Sequence, residues 1–415
     1  MSTSSELTAR EGRPGGPADR VDGVDVGTVV TVADAGEVTA VLAAAGDAQA
    51  SVVVRGAGTK LDWGAPPRRA DIVVDVSGLG NVLEHAAGDL VCRVQPGVRL
   101  ADLQATLAPA GQRLAVDELV PGSTVGGIIA TGLAGPLRLA HGSVRDLVLG
   151  VTVALAGGAS ATSGGRVVKN VAGYDLGKLY TGSYGTLGVV TEAFLRLHPL
   201  PERSAWLTVL APDAGAVAGA VAGAVSALSA AVITPAAVEV HDDGSEPARI
   251  VALLEGTDGG VEGRLSAARE LLDADVDISS EAPGWWARMP GLGTGDSLIK
   301  ATTTIAEVGR LVAVVRRAAV DAGAAVEVNG SAGAGVVYVG VGAGAPAGAV
   351  ARLLEAARRS CATVGGAAIV LRAPGWVRDG IDAWGPVPAL TLMRRVKDSF
   401  DPGHMLAPGR FVGGI

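Results

Sequence analysis

The sequence predicts an α+β chain made of two successive parts, and three observations carry that prediction. Between Val26 and Leu200, short β-branched runs alternate with helical stretches and glycine turns. Past His198-Pro-Leu-Pro the order changes to strand, helix, strand, strand, helix, strand, used about twice, which suggests an antiparallel sheet with helices on one face. Three glycine clusters, at Arg55 to Lys60, Pro121 to Ala130 and within Lys169 to Glu192, sit between apolar runs and suggest one extended ligand.

In the first part, Val29 to Val32 and Ser51 to Arg55 read as strands around a helix at Ala35 to Ala45, a βαβ opening. Ile72 to Asp75 and Leu90 to Gln95 are further strands, and Leu100 to Ala110 is the next helix. In the second part, strands are expected at 206–210, 237–240, 250–255, 298–303, 326–328, 336–341 and 368–372, with helices at 214–231, 261–272, 305–322 and 349–364. The polar stretch 1–25, without an apolar core, reads as a flexible tail rather than a secretory signal. The expected organisation is therefore tail 1–25, first domain 26–200, second domain 201–392 and a C-terminal segment 393–415 that returns to the first.

Composition narrows the function. With 48% hydrophobic and 18% charged residues the chain as a whole folds. A net charge of -8 without a basic stripe argues against a nucleic-acid partner, and 3% aromatics leave few rings to stack bases on. Cys92 and Cys361 are the two cysteines, and no C-x-x-C occurs, so the chain holds no iron–sulfur cluster of its own. Ala214 to Val238 is uncharged and long enough to span a bilayer, but it is mostly Ala and Gly and is interrupted by Pro235, so a buried helix and a strand fit it better.

The glycine clusters carry the chemistry. Glycine tolerates positive φ and lets backbone N–H groups approach a ligand, so a run of such turns forms an anion-binding concavity, most often for a diphosphate. The order strand, R-G-A-G-T-K, proline loop, strand is not the strand–GxGxxG–helix order of a dinucleotide-binding Rossmann unit. No G-x-x-x-x-G-K-[ST] occurs either.

Together, R-G-A-G-T-K, V-Q-P-G-V (Val94 to Val98), P-G-S-T-V-G-G, H-G-S-V-R-D-L-V-L-G (His141 to Gly150) and K-N-V-A-G-Y-D-L…G-S-Y-G-T-L-G-V-V-T-E resemble the FAD-binding domain of the vanillyl-alcohol-oxidase, or PCMH, type. Met393 to Phe411 resembles the closing motif of the same flavin-linked oxidases, and within them the chain resembles the smaller FAD-binding subunit of bacterial glycolate oxidase. The resemblance implies a two-lobed FAD-binding domain that clasps the cofactor, followed by a ferredoxin-like antiparallel α+β cap. It implies FAD as cofactor. Gly56, Ala57 and Gly58 would bring amides to the diphosphate, with Arg55 nearby and Thr59 donating a hydroxyl. Pro121, Gly122 and Ser123 would make the second phosphate and ribose contact, with Gly126 and Gly127 opening a short helix, and Gly132 would continue the path. Gly185, Gly188 and Val190 would present backbone to the adenine or ring edge. No histidine stands near Thr59, where covalent relatives carry one, so the FAD is expected to be held without a covalent bond.

The second domain departs from its catalytic relatives. The 2-hydroxy-acid dehydrogenases it resembles bind metal through a histidine-rich cap motif, and the counterpart here, Asn329 to Tyr338, has Ser331 and Tyr338 at the histidine positions, so no metal site is expected. In flavin alcohol oxidation a base takes the hydroxyl proton while hydride passes to the flavin, and a cation orients a carboxylate substrate. Lys300 and Arg372 are the candidates for that cation, His404 is the histidine expected near the flavin, and the catalytic base is unassigned. Lys169 and Asn170 contact either substrate or the fold.

Three readings stand at this point. One is a cytoplasmic subunit of a glycolate or related 2-hydroxy-acid oxidase complex, reaching a membrane only through its partners, a larger flavoprotein subunit and an iron–sulfur subunit. The second is a self-sufficient FAD oxidase or dehydrogenase of another small alcohol or acid. The third is a structural FAD-binding subunit without chemistry.

Overall fold

The computed structural model describes residues 12–167, 174–211, 217–230, 233–244, 247–272 and 276–415. The chain divides into two compact units. The first comprises residues up to Ala134, then Gly142–Leu200 and Pro386–Ile415; the second comprises Gly135–His141 and Pro201–Gly385. Lys169 and Asn170 lie outside the described residues.

The first unit holds two main sheets. Strands β1 (Arg13–Pro14), β2 (Val26–Thr31), β3 (Val52–Arg55) and β4 (Ala70–Asp75) form a sheet of order β1-β2-β4-β3, in which β2, β4 and β3 run parallel. A parallel sheet needs cover on both faces, which is why its strands read as unbroken valine runs. On one face Val30, Val52, Ile72 and Val74 pack on Val38, Val41 and Leu42 of the helix Ala35–Asp47, whose Asp34 N-cap accepts from the Glu37 amide. On the other face Val29, Val53 and Val73 pack on Val21.

That contact corrects the expectation of a tail through residue 25. β1 pairs with β2, Val21 is fully buried, and Asp19 is buried against Arg13 and Arg55. A single apolar anchor inside a polar segment leaves no periodic signal, so composition alone reads it as tail.

The second sheet is antiparallel, of order β5-β6-β10-β8-β9, from β5 (Val82–Ala86), β6 (Val91–Val94), β8 (Val148–Ala154), β9 (Ser160–Gly164) and β10 (Val189–Arg196). A small pair, β7 (Gln112–Arg113) with β11 (His198–Pro199), lies beside it in sequence. The C-terminal segment closes the unit: the Val52 amide donates to Met405 O (2.8 Å) and the Ala407 amide to Val52 O (2.8 Å), while Phe400 meets Tyr180 edge-on.

The second unit is one eight-stranded antiparallel sheet, of order β15-β12-β14-β13-β17-β18-β16-β19. Its strands are β12 (Arg203–Leu210), β13 (Ala237–Asp242), β14 (Arg249–Gly256), β15 (Val276–Ser279), β16 (Ser297–Thr302), β17 (Val326–Ser331), β18 (Val336–Val341) and β19 (Ala367–Arg372). The order is two ferredoxin-like βαββαβ halves joined edge to edge where β13 pairs with β17. Helices Val217–Ala230, Asp258–Leu272, Val308–Ala322 and Ala347–Ala362 fall between the strands, and their apolar residues share one core with alternate strand residues such as Val240, Val328 and Val339. Residues 135–141 join this unit because Leu137 packs with Ala236, Ala237 and Leu253.

Among the described residues no helix is long and apolar enough to cross a membrane. Both cysteines are buried, and burial pushes the Cys92 thiol up to about 12 and the Cys361 thiol up to about 11. Neither is therefore expected to react with a thiol reagent in the native protein at pH 8. Titration with Ellman-type disulfide before and after denaturation checks this, and fast native labelling would show that these sites open.

Candidate cofactor site

The first unit carries a groove made of two adjoining cavities that share Val54, Gly56, Thr124, Gly127, Ala130 and Tyr184. Three backbone segments line it: the turn after β3 (residues 54–61), the helix Val125–Thr131 with its N-cap Thr124, and residues 183–190 leading into β10. Of the residues expected at the ligand, Gly56, Ala57, Gly58 and Thr59 line one cavity, and Gly56, Gly126, Gly127, Gly185, Gly188 and Val190 line the other.

The turn after β3 exists because Gly58 takes φ 75°, which allows the chain to reverse. Among the described residues, the amides of Gly56, Ala57, Gly58, Thr59 and Lys60 donate to no protein acceptor. A row of partnerless N–H groups in a concavity is the kind of backbone that can receive an anion. The missing side chains are equally specific. A Cβ on Gly56 would stand 2.5 Å from Thr124 Oγ1, and one on Gly126 would stand 2.6 Å from the Pro96 Cβ, so these glycines let the walls close on each other. Around Gly185 the space where a Cβ would point is open.

Other expected residues have different work. The Arg55 guanidinium is committed to two carboxylates, donating to Asp75 Oδ2 (3.0 and 2.7 Å) and Asp19 Oδ1 (2.9 Å). Paired with Arg13 and Arg55, Asp19 is held well below the usual carboxylate range. Arg55 thus braces the turn instead of facing the groove. Ser123 is buried; its hydroxyl donates to Val120 O (2.6 Å) and accepts from Lys60 Nζ (2.6 Å), which leaves little for a ligand. Gly122 and Gly132 serve turns, at φ 75° and 62°, and with Pro121 they stand outside both cavities.

Lys300 lies across from Tyr338 on β16, and Arg372, at the end of β19, donates to Gly291 O (3.2 Å) and Gly293 O (3.0 Å). Both belong to the second unit. His404 sits in the first unit, half exposed, with Nε2 2.9 Å from Asp398 Oδ1.

Among the groove residues that the sequence does not single out are Lys60, Thr124, Tyr184 and Arg410. Lys60 is only 7% exposed, and its ammonium donates to Thr59 Oγ1 (2.9 Å) and Ser123 Oγ (2.6 Å). Arg410, from the closing motif, donates to Lys60 O (3.0 Å) and Leu61 O (2.7 Å) and so clamps the turn from 350 residues away in sequence. Thr124 Oγ1 accepts from the Gly127 amide (3.2 Å).

The second unit holds a buried polar set on the strand residues that alternate with its core. His241 Nδ1 lies 2.5 Å from Asn329 Oδ1, its ring stacks on Trp285 at 4.6 Å, and the Asn329 amide nitrogen donates to Arg288 O (3.0 Å). The Ser331 and Tyr338 hydroxyls are buried without a hydrogen-bond partner among the described residues. Polar residues at alternate strand positions, E239-x-H241 and N329-x-S331, were the legible signal.

A glycine-lined groove with free amides beside a parallel lobe and an antiparallel lobe defines a flavoprotein of the PCMH type, with FAD as cofactor. The chain belongs to the FAD-linked oxidoreductases. Residues 27–164 match the family model described as an FAD binding domain. An uncharacterized FAD-linked oxidoreductase of Mycobacterium tuberculosis is 30% identical over 421 residues, spanning 91% of this chain and 89% of that one. Glycolate oxidase subunit GlcD of Bacillus subtilis is 35% identical over 215 residues, 52% of this chain and 45% of that protein. Subunit GlcE of Escherichia coli is 39% identical over 155 residues, 37% of this chain and 44% of that protein. The chain thus matches less than half the length of either glycolate oxidase subunit. Among solved structures, 4-ethylphenol oxidase from Gulosibacter chungangensis shares the fold, with a TM-score of 0.73 at 14% identity over 94% of this chain and 90% of that one.

The groove fits this cofactor on its own terms: five free amides suit a diphosphate, and glycine walls admit a flat ring. Among the described residues no histidine or cysteine lines either cavity.

Proposed function

We propose that the chain is a subunit of a 2-hydroxy-acid oxidase complex of the glycolate oxidase kind, oxidising glycolate to glyoxylate with electrons leaving through an iron–sulfur partner. The observation that carries this reading is the paired likeness to two glycolate oxidase subunits. FAD, held without a covalent bond by residues 56–60 and 183–190, supplies the hydride acceptor. The chain's own residues supply binding and proton handling.

The buried hydroxyls of Tyr338 and Ser331 are oxygen-directed groups in need of a partner, and Lys300, across the strand from Tyr338, is a cation suited to a carboxylate. Arg372 is tied to the 291–293 loop, which favours Lys300 over it. The iron–sulfur partner would have to take electrons singly, since the chain has no cluster cysteines.

The test is the visible spectrum of purified protein before and after denaturation, followed by anaerobic glycolate and D-lactate. Flavin released on denaturation and bleached by glycolate within the native complex is the expected result. Bleaching in the isolated chain by another alcohol or acid, but not by glycolate, would favour a self-sufficient oxidase. Flavin that no substrate reduces, even in the complex, would leave a structural subunit.

A further inference from the structure

We propose that the Lys60 ammonium is the counter-charge for the diphosphate of the bound dinucleotide, and that it is what makes the groove prefer FAD over flavins that lack a diphosphate. This rests on the FAD cofactor and is independent of which substrate is oxidised.

Lys60 places a charge where burial disfavours it. Lys60 lines the groove, is 7% exposed, and is held by two neutral hydroxyls, Thr59 Oγ1 and Ser123 Oγ. Among the described residues no carboxylate lies within ion-pairing reach of its Nζ. A buried ammonium without a counter-ion is unfavourable unless an anion arrives to meet it. The same turn offers the free amides of residues 56–60, which point to the same chemistry on independent grounds.

Geometry keeps the ammonium at the groove. A Cβ built on Gly127 would lie 3.9 Å from Lys60 Nζ, so the charge sits beside the glycine wall of the helix Val125–Thr131. Ser123, with its own hydroxyl already donated to Val120 O, presents a lone pair to the ammonium and fixes its direction. Arg410, itself in the groove wall, holds the Lys60 backbone through the carbonyls of Lys60 and Leu61. The carboxylate nearest in influence is Glu118, which accepts from the Gly122 amide (3.0 Å) and lends Lys60 weak support at a distance.

Burial pulls the Lys60 ammonium down to about 8, with Glu118 opposing. In the protein without ligand, the ammonium is therefore present below about pH 8 and lost above it. The diphosphate keeps both its charges across this range. FAD affinity should then fall roughly tenfold per pH unit above about 8, while riboflavin, which has no phosphate, should bind with no such slope.

The experiment is titration of the FAD-free full chain with FAD and with riboflavin, read by quenching of flavin fluorescence between pH 7 and 9.5. It is run on the wild type and on Lys60→Met, in which Glu118, Arg410 and Tyr184 remain. Expected for Lys60→Met at pH 7 is a loss of about 10- to 100-fold in FAD affinity, an unchanged riboflavin affinity, and a flat FAD profile. Equal weakening of both flavins, unchanged FAD affinity, or a pH slope that survives the substitution would overturn the proposal. If Lys60→Met does not fold, the wild type decides alone: a slope for FAD absent for riboflavin supports it, and parallel profiles defeat it.

Discussion

Lys397→Met is expected to destabilise the first unit by about 3–5 kcal/mol, because it strips the partner from a fully buried carboxylate. Lys397 and Asp401 have no exposed side-chain surface, and their ion pair closes at 2.5 Å. The ammonium also donates to Thr186 O (2.8 Å) and Leu406 O (2.9 Å), while Asp401 accepts from the Met405 and Leu406 amides (3.1 and 2.7 Å). One lysine on the helix Leu390–Phe400 thus ties the closing motif to the segment 183–190 that lines the groove. At about 2–4 °C per kcal/mol the melting temperature should drop by roughly 10 °C, and bound FAD should leave in the same transition. Adding Asp401→Asn should recover part of the loss, since it removes the stranded charge, while its single carbonyl oxygen keeps an acceptor for one of the two amides. A melting temperature within about 2 °C of wild type for Lys397→Met would show that the pair is not what holds the segment.

Gly56→Val should abolish FAD retention while leaving the second unit folded. Its Cβ would stand 2.5 Å from Thr124 Oγ1, closer than carbon and oxygen approach, and Thr124 caps the helix Val125–Thr131 through the Gly127 amide. Two of the three groove walls therefore move apart at once. A displacement of this size at a positioned ligand is worth about 100-fold or more in affinity. The measurement is visible absorbance of the purified variant relative to protein, together with far-ultraviolet circular dichroism to establish the fold. Wild-type flavin content in a folded variant would remove the turn from the site.

The sequence reveals the fold wherever elements are apolar and periodic. The helix Ala35–Asp47, the valine strands β2 to β4 and the doubled βαββαβ order are legible because each buries a regular face. β5 and β9 are not: Leu-Glu-His-Ala and Ser-Ala-Thr-Ser-Gly pair at a sheet edge with little apolar signal. Residues 13–21 are hidden for the same reason, their order resting on one buried valine and on Asp19.

What the sequence by itself determined is where the chain can turn tightly and pack closely, because glycine accommodates the positive φ of Gly58 and the close wall at Gly56, although Gly122 and Gly132 of the same expected set stand outside both cavities. What only the tertiary structure decided is which charged side chains face the ligand and which face each other. Arg55 and Lys60 are five residues apart in one motif, yet Asp19 and Asp75 engage the first and only hydroxyls hold the second. Arg410, 350 residues further on, turns out to brace the turn between them. Charge pairing depends on distance through space, which no local pattern encodes, whereas a glycine's conformational freedom belongs to the residue itself.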